Sequence, residues 1–230
     1  MDAAFDEYAG RYDSALNEGL SLSGESKEYF AEARVRWLAG RLDQRGVAPQ
    51  QVLDFGCGTG DTCPALRSRL NARLVIGVDQ SRESIVAARR THTDARLHFE
   101  ELNTLQPAGQ FQLAYCNGVF HHIERDRRAD ALRYVRRSLS DGGYFAFWEN
   151  NPWNPATRLV MRRIPFDRDA QLLSPPAART LLANAGFEVL STDFLFLFPR
   201  VLAALRHLEA KLTRVPAGAQ YMVLCRKAAW

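Results

Sequence analysis

The chain has 230 residues, of which 47% are hydrophobic and 24% charged, with a formal net charge of +4 and an isoelectric point near 9.0. These values belong to an ordinary globular chain of one decorated α/β domain and exclude a low-complexity or disordered one. No apolar run approaches the about 20 residues of a membrane-spanning helix. The opening residues lack the basic start and apolar run of a secretory signal, so a cytoplasmic protein is expected. Three of the cations are lysines and the rest are arginines interleaved with acids. That pattern reads as solvated helix faces, with no nucleic-acid partner. Cys57, Cys63, Cys116 and Cys225 show neither CxxC nor metal-ligand spacing, so reduced thiols and no metal site are expected.

In chain order, Phe5, Tyr8, Ala9 and Tyr12 fall at helical spacing on one face. A second helix is predicted from about Ser26 to Arg45, closed by Gly46. Residues 1–47 thus read as a helical cap on a domain spanning 48–230. "QVLDF" then begins a new rhythm of short apolar strands and intervening helices. The strands continue with "RLVIGVD", "RLHFE", "FQLAYCNG" and "YFAFWE". Thr62 and Ser81 are the expected caps of the first two helices between them, and Gly142-Gly143 the stop of the third. Continuous apolar strands alternating with helices argue a parallel sheet covered on both faces. Two acceptor-side insertions are expected, at about 150–173 and 199–219. In the first, Asn154 and Pro155 start a short helix; Ser174 caps the helix that follows it. "FEVLSTDFLFLF" reads as a long strand with Phe194, Phe196 and Phe198 on one face. An amphipathic helix carrying Val201, Leu205, Leu208 and Leu212 follows, and "QYMVLCRK" is the last strand, antiparallel. The fold class is therefore α/β: a Rossmann-like, doubly wound, seven-stranded sheet, mostly parallel.

The stretch "VLDFGCGTG" carries the chemistry. A dinucleotide site would show G-x-G-x-x-G after the first strand. Here the third glycine, Gly60, arrives one residue early and Asp61 stands in its place. An acid is unwelcome beside a pyrophosphate. Asp54 ends the first strand and Asp79 the second, 23 residues after Gly56. A carboxylate at that position accepts from ribose hydroxyls. Acids around a glycine turn suit a cationic adenosine compound without phosphates, and S-adenosylmethionine is one.

With "VIGVDQS", "FQLAYCNGVFHHI" and "LSDGGYFAFWE" in order behind it, this stretch resembles the motifs of class I S-adenosylmethionine-dependent methyltransferases, over about Gln51 to Glu149. The resemblance implies that Gly56, Cys57, Gly58 and Gly60 offer backbone to the methionine part, with Asp54 near its ammonium. Asp79 would hold the ribose, Gln80 would flank the adenine, and Asn103 with Leu102 would stand where the family reads the adenine amino group. Cys116 and Asn117 would form the floor beneath the methionine, and Tyr12 would close over it. Acceptor-side residues are then Tyr8, His122, Trp148, Asn150, Asn151 and Trp153. For an acceptor that must lose a proton, His121 or His122 is the expected base and Glu149 the next choice. The implied reaction is methyl transfer to a small, hydrophobic or aromatic molecule by a monomer or homodimer. Two alternatives stand beside it: a non-catalytic, methyltransferase-like subunit, and a methyltransferase acting on nucleic acid or protein. The apolar C-terminal insertion leaves peripheral membrane contact open.

Overall fold

A computed structural model describes residues 23–164 and 170–228. Seven strands form one sheet: β1 (Gln51–Phe55), β2 (Leu74–Asp79), β3 (Leu97–Glu101), β4 (Phe111–Asn117), β5 (Leu139–Asn150), β6 (Phe187–Leu195) and β7 (Gln220–Lys227). Their order is β3-β2-β1-β4-β5-β7-β6. The first five pair in parallel, and β7 runs antiparallel between β5 and β6. The order reverses between β1 and β4, which places a ligand crevice over the carboxyl ends of those strands.

The strand sequences dictate a two-faced core. Leu113 and Tyr115 of β4 and Trp148 of β5 share one face with Val35, Leu38 and Leu42 of helix α1 (Lys27–Asp43). Ala114 and Cys116 of β4 and Phe145 and Phe147 of β5 take the other face. There they meet Leu132 and Val135 of α4 (Arg128–Ser138) and Ala178 and Leu182 of α6 (Pro175–Asn184). Each fully buried large side chain contributes roughly 1.5–3 kcal/mol. Helices α2 (Cys63–Arg69) and α3 (Arg82–Thr91) follow β1 and β2, and α5 (Pro155–Arg163) follows β5. Ser26, Ser81, Asn154 and Ser174 cap α1, α3, α5 and α6, each side chain accepting a backbone N–H three residues on.

Four local expectations change. Thr62 precedes α2 without a side-chain capping bond. Helix α4 stops because Leu139 turns extended (ψ 138°), and Gly142 and Gly143 lie within β5. They sit where the ladder skips from Phe111↔Leu139 to Leu113↔Tyr144. Phe194, Phe196 and Phe198 do not share a strand face. β6 ends at Leu195, and Phe196 takes φ +62°. Phe194 then packs with Tyr221 on one side of the sheet, while Phe196 joins Phe30 and Trp148 on the other. Lastly, the expected amphipathic helix is a 3-10 helix, Arg200–Leu208, kinked at Leu202 (φ −111°) and followed by the single turn α7 (Glu209–Leu212). No residue of either is buried.

Candidate active site

The turn after β1 is built by hydrogen bonding back onto β2. The N–H groups of Gly56 and Cys57 both donate to the Val78 carbonyl, at 2.8 and 3.0 Å. Gly56 has φ +73°, and a Cβ there would lie 2.3 Å from Val119 Cγ2, so the turn after β4 leaves room only for glycine. At Gly58 (φ +52°) a Cβ would meet nothing within 4 Å. Its backbone lies bare toward open space, which is how a turn presents itself to a ligand.

Asp79 ties this turn down. One carboxylate oxygen accepts the Gly58 N–H at 2.9 Å and the other accepts the Ser81 N–H at 2.9 Å. Asp54 lies deeper, 2% exposed, and accepts a bond from the Cys63 thiol at 3.4 Å. Burial pushes its carboxyl up to about 7, opposed by the Cys63 bond and reinforced by the nearby charge of Asp79. Burial, then Asp54, hold the Cys63 thiol well above its ordinary range. Asp61 sits at the rim, bonded by Thr59 and paired with Lys27 at 2.9 Å. One carboxyl group, that of Asp79, thus bonds the bare glycine directly, and Asp54 and Asp61 stand on the same segment before and after it. At the far end of the crevice, the Leu102 N–H donates to the Asp79 carbonyl at 2.8 Å, and Gln80 and Asn103 are exposed.

On the β4–β5 side, Asn117 and Trp148 are register partners. Asn117 Oδ1 and Trp148 Nε1 are buried without a hydrogen-bond partner. Cys116 points to the opposite core, so only its backbone faces the crevice. Glu149 is fully buried. It accepts the Phe120 N–H at 2.8 Å and the His121 Nδ1–H at 2.6 Å. A carboxylate holding two donors away from solvent positions the turn carrying the histidines. His121 is 3% exposed, whereas His122 is half-buried with its ring 4.1 Å from that of His121.

The loop after β5 is pinned as well. Asn151, expected to hold acceptor, is fully buried, and its Nδ2 donates to the carbonyls of Pro216 and Gly218 at 3.1 and 2.8 Å. Both amide hydrogens are thus engaged in closing the loop onto the 216–219 turn. Asn150 Oδ1 accepts from Gln220, which accepts from Arg34, which donates to the Tyr115 hydroxyl at 3.1 Å. Sequence reading missed this network, because Arg34 resembles any other helix arginine until burial singles it out. Trp153 is 50% exposed and stacks on Phe194. Tyr8 and Tyr12 lie outside the described residues.

The chain is similar to known methyltransferases in sequence and in fold. The family model described as a methyltransferase domain matches residues 52–143. A trans-aconitate 2-methyltransferase of Methylobacterium nodulans is 31% identical over 161 residues, covering 67% of this chain and 60% of that enzyme. The chain thus spans under two thirds of the length of that relative. An S-adenosylmethionine-dependent methyltransferase of Mesorhizobium loti superposes with a TM-score of 0.58 at 21% identity, over 82% of this chain and 97% of that one. A methyltransferase in complex with the Haloferax volcanii activator Trm112 superposes with a TM-score of 0.69 at 19% identity, over the whole of both chains. Residues 52–143 belong to the methyltransferase domain family, and the sheet that carries them has the fold of the class I S-adenosylmethionine-dependent enzymes.

Proposed function

We propose that the chain transfers a methyl group from S-adenosylmethionine to a small-molecule acceptor seated over the carboxyl ends of β4 and β5. The observation that carries this is the bare Gly58 backbone flanked by Asp54, Asp61 and Asp79. It fits an adenosyl ligand bearing positive charge and disfavours a pyrophosphate. Asp79 would receive the ribose hydroxyls, Gln80 and Leu102 would flank the base with Asn103, and the Gly56–Gly60 backbone with Asp54 and Asn117 would hold the amino-acid end. The bound cofactor supplies an activated methyl group on a sulfonium.

The chain's own residues then supply alignment, dryness and proton handling. Alignment comes from a turn after β4 that Glu149 fixes at Phe120 and His121. Water is kept out by the loop that Asn151 and Asn154 fasten to residues 216–219. For a hydroxyl or amine acceptor, His122 takes the proton, and His121, clamped by Glu149, sets its position. Trp148, Asn150 and Trp153 form the acceptor wall in this reading. The acceptor is a small molecule, as the name of the M. nodulans relative suggests for that enzyme, and the aromatic wall favours one with an apolar body.

Calorimetry with S-adenosylmethionine tests the reading. Wild-type protein is expected to bind in the low-micromolar range or tighter, Asp79→Asn to bind more weakly and Asp79→Ala not measurably. Absence of binding by folded wild-type protein would refute it. Transfer of a labelled methyl group is then followed with trans-aconitate and a panel of small phenols, amines and acids. His122→Ala is expected to lower kcat by about a hundredfold for a hydroxyl acceptor while leaving cofactor affinity intact.

A further inference from the structure

Residues Val201 to Leu205 read "VLAAL", and all five are exposed. Val201 is 88% exposed, Leu202 44% and Leu205 39%. Soluble proteins scatter exposed apolar side chains; a consecutive run on one projecting 3-10 helix is a different matter. The run is fringed by Arg200, Arg206, Lys211 and Arg214, with Glu209 the sole acid between 200 and 215. Glu209 is turned inward, accepting the N–H groups of Leu197 and Phe198 at 2.9 and 3.0 Å. Arg206 is paired with Glu25. Arg200, Lys211 and Arg214 are exposed and have no ion-pair partner among the described residues. The segment is also held firmly. Arg200 donates to the Gly24 carbonyl at 3.3 Å, and the Arg206 guanidinium lies 4.8 Å from the Tyr29 ring centre. An apolar tip flanked by cations that lack an ion-pair partner among the described residues is complementary to a surface that is apolar just beneath a layer of negative charge.

We propose that this tip docks the protein on an anionic lipid surface. Val201, Leu202 and Leu205 enter the boundary between headgroups and acyl chains, and Arg200, Lys211 and Arg214 meet the phosphates. Its place in the fold gives the docking a purpose. The 196–219 segment leaves the carboxyl end of β6 and returns to the start of β7, on the same end of the sheet as the glycine turn and the loop after β5. Docking by the tip brings the crevice end of the sheet to the membrane, where an apolar acceptor dissolved in the bilayer is within reach. The docking itself does not require the acceptor to be lipid-borne.

Flotation of the full chain with large vesicles is the test. One set is phosphatidylcholine alone and the other contains roughly a quarter phosphatidylglycerol. Wild-type protein is expected to float with the anionic vesicles, less so as salt rises, and to remain in solution with the neutral ones. Val201→Asp/Leu205→Asp and Lys211→Glu/Arg214→Glu are each expected to weaken binding by about tenfold or more. Both pairs are exposed, so folding is checked by unchanged circular dichroism and unchanged S-adenosylmethionine affinity. Failure of wild-type protein to bind anionic vesicles overturns the proposal, as does undiminished binding by both variants. Light scattering that shows a dimer dissolved by Val201→Asp/Leu205→Asp, with no vesicle binding, assigns the tip to a second copy of the chain and overturns it too.

Discussion

Two glycines a single residue apart are required for different reasons. Gly56 is held by sterics: an alanine methyl would collide with Val119, a branched side chain that cannot retreat. Gly56→Ala is expected to lower stability by about 2–3 kcal/mol, partly restored by Val119→Ala, as read by chemical denaturation. Gly58 is held by its φ of +52° and, in the proposed function, by the ligand. Gly58→Ala is expected to cost only about 1 kcal/mol of stability, yet to weaken S-adenosylmethionine binding markedly by filling the bare side of the turn. Asp54 gives a pH signature at the same scale. Its carboxyl ordinarily titrates near 3.8 and in the fold near 7. Between those values the folded chain binds the proton that the unfolded chain has released. The contribution is complete below pH about 4 and is lost as pH rises through 7, by up to about 4 kcal/mol. Asp54→Asn is expected to flatten the stability profile across that interval, measured by denaturant midpoints from pH 4 to 8.

At the scale of elements, the turn after β4 depends on a carboxylate from a neighbouring strand. His121→Ala is expected to cost about 1–3 kcal/mol, because it removes the His121 donor from the fully buried Glu149 carboxyl group. His121→Ala/Glu149→Gln is expected to recover part of that loss in thermal unfolding. The regular elements were legible in the sequence because their signals are local. Strand hydrophobicity, Ser81, Asn154 and Ser174 as caps, and the glycine at 46 all act over a few residues. Three features were not legible, each because a distant partner decides it. Phe196 turns left-handed where its neighbours suggest another strand residue, and finds Trp148 and Phe30 on the far face. Asn151 looks like a ligand-binding amide until the carbonyls of Pro216 and Gly218 engage it. Gly142-Gly143 looks like a helix stop, but β4 has already drawn Leu139 into the sheet.

At the scale of the whole molecule, every described residue assigned to chemistry lies at one end of the sheet. That end is legible in the acids bordering the glycines; the strand order and its reversal between β1 and β4 are not, because alternation of strands and helices is compatible with more than one order. Nor is it legible that α1 completes the core, because Val35, Leu38 and Leu42 show a helix face without showing what it covers. The two cores on either side of the sheet share every strand but β3, so the fold is expected to melt as one unit. Coincident transitions by near- and far-ultraviolet circular dichroism would confirm that, whereas separate midpoints would show that the C-terminal strands unfold alone.

The position of β7 has a consequence for how the chain is made. Among the described residues β6 pairs with no strand except β7, and β7 fits between it and β5. While the ribosome is delivering residues 187–219, the open side of β5 and both sides of β6 offer unpaired backbone to any passing chain. The nascent protein therefore passes through an adhesive stage that ends when the strand from Gln220 to Lys227 slots home.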